Sequence, residues 1–190
     1  YKCHASHNQV LEQYAMNIFD STRRFHGLGD RERLLLQIAV TLHACGKFIS
    51  VRNSNECAYN IIMSTEIIGI SHLEREIIAN VVRYNIRDFD YNMVRMETEL
   101  DEVTDSFSGQ NEVMLLIAKL TAMLRLANSM DRGHSAKLAD CRMTVKDQNL
   151  IITTDYHGDI TLEAVSFEQK AAFFEEIFGI RPVLRHKKYV

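Results

Sequence analysis

The segment Leu34-Leu35-Leu36-Gln37-Ile38-Ala39-Val40-Thr41-Leu42-His43-Ala44-Cys45-Gly46 carries apolar residues at helical spacing and closes on a histidine and a glycine. Leu34, Leu35, Ile38, Ala39, Leu42 and His43 share one face of a 3.6-residue period, which predicts an amphipathic helix capped by Asp30 and ended by Gly46. The flanking sequence has the same character. His7, Val10, Leu11, Tyr14, Ile18 and Phe25 predict a helix over 6–25, capped by Ser6 and broken by His26-Gly27-Leu28-Gly29. After a polar loop at 50–56, Tyr59, Ile61, Ile62 and Met63 mark a helix over 57–66. Ser71-His72-Leu73-Glu74 is a capping box that opens another, running to Tyr84. Residues 86–111 are acidic and irregular. A long helix over 111–130 then has its stripe at Val113, Ile117, Leu120, Leu124 and Ala127.

Beyond Leu138 the period changes from 3.6 to 2. Arg142–Lys146 and Leu150–Thr154, joined by Asp147-Gln148-Asn149, predict a hairpin, and Asp159–Ala164 a further strand. Phe167–Phe178 predicts a helix closed by Gly179. Arg181–His186 is expected as an edge strand, because Pro182 cannot donate to a ladder. The fold class is therefore mainly α: a helical domain over 1–138 and a small α+β subdomain over 139–190.

With 46% hydrophobic and 25% charged residues the 190-residue chain has an ordinary globular composition, and one proline among eight glycines favours long helices. A formal charge of -3 argues against a nucleic-acid binder. Cys3, Cys45, Cys57 and Cys141 form no C-x-x-C pair, and no apolar run is read as reaching the ~18 residues of a membrane span. Reduced thiols in a cytoplasmic protein are the expectation. The opening residue, Tyr1 rather than Met, suggests a piece of something longer.

The chemistry centres on polar residues at inward helical positions. His7 lies four before Leu11, His43 four after Ala39, Asn128 four after Leu124 and Asp131 four after Ala127. Imidazole and carboxylate groups from separate helices are the ligand set of a catalytic divalent metal inside a bundle. The order of His7, His43 and a late acidic position resembles the HD superfamily of metal-dependent phosphohydrolases. Ala44 and Asn128 stand where that pattern has carboxylates, so the metal site is read as degenerate. No catalytic residue and no bound metal are expected, and His7 and His43 are read as buried rings bonded to backbone or to each other.

Phe25–Gly29, His43–Ser50, Glu74–Ala79, Arg83-Tyr84, Lys119–Ala127, Met130–His134 and Phe173–Gly179 together resemble the C-terminal region of the exopolyphosphatase/guanosine pentaphosphatase family. Asn53, Asn55, Cys57 and Asn85 depart from it where histidines are common. The resemblance implies that an N-terminal actin-like domain hydrolyses phosphoanhydrides with an acidic base and a divalent metal such as Mg. It implies that the helical part dimerises and holds a phosphate polyanion such as polyphosphate. This chain is then expected to need no cofactor and to have three partners: its own actin-like domain, the polyanion and a second copy. Arg52, Arg83, Arg125 and Arg132 are the expected phosphate contacts, beside a pocket lined by His7 and His43. The acidic residues at 97–105 must face away. The alternatives are an HD-type phosphohydrolase acting on a nucleotide or phosphomonoester, and a purely structural dimerisation domain.

Overall fold

The computed structural model describes residues 5–91 and 107–187. Helices α1 (Ala5–Ser21), α2 (Arg23–His26) and α3 (Asp30–Leu42) lead into a 3-10 turn at Cys45–Phe48. Helices α4 (Ser54–Met63), α5 (His72–Arg83) and α6 (Phe107–Met130) follow. The chain ends with β1 (Arg142–Lys146), β2 (Asn149–Thr154), α7 (Thr161–Phe178) and β3 (Arg181–His186). The mainly helical class with a small α+β part is as expected. The expected acidic stretch 97–105 and the side chain of the expected cap Ser6 lie outside the described residues.

Helix α6 is the organising element: α1, α3 and α5 pack against it, and so does α7. One buried cluster runs from Leu11 and Leu36 through Met123 and Leu126 to Ile152 and Phe174, so the helices and the sheet share a core. By length and composition α6 is apolar enough to cross a bilayer, over the 22 residues Gly109–Met130 at mean hydropathy 1.4, which corrects the expectation that no such run exists. Its window is 72% buried within the fold, which is the position of a core helix.

Helix α3 buries only part of the expected face, keeping Leu35, Ala39 and His43 and adding Leu36 and Val40. Leu35, Leu36, Ala39 and Val40 are buried, whereas Leu34 is 37% exposed and Ile38 and Leu42 are half-buried. Seven apolar residues over 34–42 make the apolar arc wider than one stripe, and packing against α1, α5 and α6 selects the part of it leading to His43. Leu34, Ile38 and Leu42 instead line an apolar groove with Ile61 and Ile67 of the α4 end.

The capping box opens α5 as read: Ser71 Oγ accepts from Glu74 N at 3.2 Å, and the Glu74 carboxylate accepts from Ser71 N at 2.8 Å. At the hairpin tip Asp147 and Gln148 take φ of 49° and 57°, the paired left-handed residues of a type I′ turn. The sheet order is β1-β2-β3, with β1–β2 antiparallel and β2–β3 parallel through α7, which leaves Pro182 on an edge strand.

The strand expected at 159–164 does not form. Asp159 Oδ1 accepts from both Thr161 N (2.8 Å) and Thr161 Oγ1 (2.6 Å), which starts α7 six residues earlier than Phe167. Ile160, Glu163, Phe167, Ala171, Phe174 and Phe178 are all buried, so the operative period is helical. The short alternation of Ile160, Leu162 and Ala164 was too brief to separate the two periods. Helices α4 and α6 likewise begin before the expected residues 57 and 111.

A buried histidine fixes the corner after α2. His26 packs against Phe19 and Phe178, donates Nε2–H to the Phe19 carbonyl (2.8 Å) and accepts from Leu28 N at Nδ1 (2.9 Å). Burial holds its pKa below the ordinary 6.5 against the opposing hydrogen bond to the Phe19 carbonyl, with Lys119 and Arg23 adding to the lowering and Asp20 opposing it. A second ring proton has no acceptor there, because Leu28 N–H already occupies Nδ1. The pKa is lowered on folding, so this contribution is complete above pH 6.5 and is lost as pH falls below it. Thermal unfolding of the wild type should drop between pH 7 and 5.5, and His26→Gln, less stable at neutral pH, should show a shallower drop. An equal slope in the two proteins would rule out His26 as the source.

Candidate functional site

Three elements bring imidazoles together. α1 carries His7 at its start, the residue after α3 is His43, and the turn after α6 supplies Asp131 and His134. Asp131 is 2% exposed and organises the group. Its Oδ1 accepts from Ser135 N (3.0 Å) and Ala136 N (2.8 Å), which closes a turn in which His134 and Ala136 adopt φ of 51° and 52°. Its Oδ2 accepts from His7 Nδ1–H at 2.5 Å. His7 Nε2 is thereby left as a buried nitrogen with no partner. The His7 ring centroid lies 3.9 Å from that of His134 and 5.8 Å from that of His43. His43 donates Nδ1–H to the Val40 carbonyl (2.6 Å), and burial pushes its pKa down to about 4, so this imidazole is neutral at pH 7.

His7 thus bonds to Asp131 rather than to backbone and has the His43 ring beside it, while His43 bonds to the Val40 carbonyl. Ala44 precedes the 3-10 turn and brings no donor atom. His134 was missed. It lies beyond the helix, where periodicity has no say, although its place three residues after Asp131 in Asp131-Arg132-Gly133-His134 was the available signal.

Asn128 belongs to a second site. It lines a cleft of about 310 Å³ between α6 and α7 with Arg125, Arg132 and Lys170. Arg125 is 6% exposed and stacks over Phe173 at 4.7 Å. Its Nε donates to Tyr84 O (2.8 Å) and its Nη2 to Arg87 O, so it holds the chain leaving α5. Burial lowers the Lys170 pKa; Arg125 and Arg132 add to this, against Asp88. Asn85, 3% exposed, also lines the cleft, and neither its amide nitrogen nor its oxygen has a partner. No carboxylate is among the described residues that line it. Sequence reading missed Lys170 and Asn85, since nothing local marks a lysine or asparagine that tertiary packing brings beside two arginines.

Arg52 and Arg83 do not join this cleft. Arg83 is ion-paired with Glu56 at 2.9 Å and lies over the Tyr59 ring at 4.9 Å, with Arg87 on the same carboxylate. Arg52 is exposed in the turn before α4.

Over residues 1–171 the chain matches the model of a family described as Ppx/GppA phosphatase, domain III. No curated protein matches it.

Proposed function

The chain belongs to the Ppx/GppA phosphatase family, and from that premise we propose that it is a phosphate-polyanion-binding and dimerisation domain that performs no hydrolysis itself. In this reading the phosphoanhydride chemistry, with its Mg-class ion, resides in an actin-like domain of the same cytoplasmic protein. The observation that carries the proposal is the convergence of Arg125, Arg132 and Lys170 on one cleft that also holds the unpartnered Asn85 amide. Guanidinium groups match phosphate oxygens in pairs, and the Lys170 pKa is lowered by burial first, with Arg125 and Arg132 adding to it, so a bound anion would offset both effects. Asn85 offers two further N–H donors to the same ligand. The proposal keeps Arg125 and Arg132 as phosphate contacts, adds Lys170, and leaves out Arg52 and Arg83. An HD-type phosphohydrolase would need carboxylates where the sequence has Ala44 and Asn128.

For the dimer, the apolar groove of Leu34, Ile38, Leu42, Ile61 and Ile67, with Ile68 fully exposed beside it, is the surface assigned to the second copy. Sedimentation at several concentrations tests this, with Ile38→Asp expected to shift the equilibrium to monomer. A wild type monomeric at all concentrations would remove the dimer from the reading.

Binding of medium-chain polyphosphate should weaken steeply with salt, by release of counterions from the polyanion. Arg132→Ala and Lys170→Ala, both outside the core, should each weaken it roughly tenfold at low salt and flatten the salt slope. Calorimetric titration at two salt concentrations measures both. Affinity unchanged in both variants would place the polyanion elsewhere.

A further inference from the structure

Three large apolar side chains stand exposed in close succession outside both candidate sites, at the end of the 3-10 turn and in the loop that leads to α4. Phe48 is 78% exposed, Ile49 64% and Val51 82%. Apolar side chains that reach the surface singly are ordinary, whereas a contiguous group marks a contact surface. The loop is nevertheless held firmly. Ile49 N and Ser50 N both donate to the Gly46 carbonyl (3.1 and 3.0 Å), Ser50 Oγ accepts from Asn53 N (3.2 Å), and Gly46 packs directly on the α4 backbone. Lys47 and Arg52, both exposed, bracket the apolar residues, and neither has a carboxylate partner among the described residues. No Asp or Glu occurs from residue 33 to residue 55, so nothing in the segment offsets these two cations.

Two observations point to what covers this tip. The matched family model is described as domain III, so by that description further domains stand ahead of this one in the protein. The chain enters through α1, and the ring of His7, in the first turn of that helix, lies 5.8 Å from the ring of His43. Phe48 follows His43 through the 3-10 turn, which at ~2 Å per residue keeps it within roughly 15 Å of the point of entry. A domain tethered there meets the tip at high effective concentration. We propose that Phe48, Ile49 and Val51 are the docking tip for the preceding domain of the same protein, seated in an apolar depression whose rim carries carboxylates facing Lys47 and Arg52. The inference rests on the reading that a further domain of this protein precedes the chain. It is independent of the arginine cleft and of the apolar groove, since none of these five residues lines either.

Hydroxyl-radical oxidation of this chain alone and of the full-length protein, read by mass spectrometry, tests the contact. Phe48 should oxidise roughly fivefold or more slowly in the full-length protein, as a residue in the desolvated centre of an interface does. Phe25, exposed just beyond the other end of α1, about 25 Å along its axis, should oxidise at the same rate in both. Phe48→Ser combined with Val51→Ser should leave the melting temperature of the chain alone unchanged, because both side chains are exposed. In the full-length protein the same pair should restore fast oxidation of Ile49 and enlarge the radius of gyration in solution scattering. Lys47→Glu combined with Arg52→Glu should do likewise. Equal oxidation of Phe48 in the two proteins would overturn the inference and leave the reading of a preceding domain standing, whereas a gene encoding nothing ahead of this chain would end both. Protection of Phe48 that grows with the concentration of the chain alone would overturn it in favour of a second copy. Protection that appears only with anionic vesicles would overturn it in favour of a lipid surface.

Discussion

Gly46→Ala should be among the most destabilising single substitutions in this chain, costing about 4 kcal/mol or more. The cause is space rather than backbone angle. A Cβ at Gly46 would stand 1.8 Å from the Ser54 carbonyl oxygen, 2.5 Å from Ala58 N and 2.8 Å from the Ser54 carbonyl carbon. All three are backbone atoms of α4, so no side-chain rotation relieves the clash. The 3-10 turn and α4 would have to separate, and with them the contacts of Cys45, Ala58 and Ile62, all buried in the main core. For a domain of this size each kcal/mol lowers Tm by roughly 2–4 °C, so a fall of more than about 10 °C is expected. Gly27→Ala is the matched comparison: φ is +66° with nothing within 4 Å, so only the left-handed strain of about 1 kcal/mol applies. Should thermal unfolding rank the two variants equally, the close crossing of turn and helix is not present in solution.

Asp131→Ala should follow, at about 3 kcal/mol. The carboxylate is buried and accepts from His7 Nδ1–H, Ser135 N and Ala136 N. Its removal leaves three donors without an acceptor, and buried donors lose the water they gave up on folding. It also releases a turn whose His134 and Ala136 backbones are held at positive φ at a cost of their own. Asp131→Asn separates the contributions. Its oxygen still serves the two amides, whereas its NH2 faces His7 Nδ1 and favours the opposite tautomer. Roughly half the loss is expected for this variant, measured by urea denaturation. A loss below 1 kcal/mol for Asp131→Ala would mean that the turn is held by something else.

Much of the fold was legible because its signals are local. The capping box at Ser71, the helical stripe ending in Ala127 and the turn residues Asp147-Gln148 each act within a few positions of themselves, and each sits where it was expected. Helix α3 shows the limit. Its apolar arc is wide enough for two faces, and the choice between them was made by α1, α5 and α6. At 159–164 a six-residue alternation was outweighed by a helical period that only becomes visible once Phe167, Ala171 and Phe174 are counted with Ile160 and Glu163. The candidate sites divide in the same way. His7 lies within α1, and His43 and Asp131 directly follow α3 and α6, so all three were found by counting fours along the helical stripes. His134, Lys170 and Asn85 reach their sites through a turn, a helix from the far end of the chain and a loop, and no spacing rule connects them. Asn128 and Asp131, three apart in sequence, were read as one pair, yet one enters the cation cleft and the other the histidine cluster.

The hydrogen bond between His7 and Asp131 spans 124 positions of the chain. Closing so long a loop is entropically slow compared with winding either helix, so contacts of this kind form late. The histidine cluster thus depends on the two ends of the helical region having come together. A chain still emerging from the ribosome holds α1, α3, α4 and α5 well before Asp131 exists to join them.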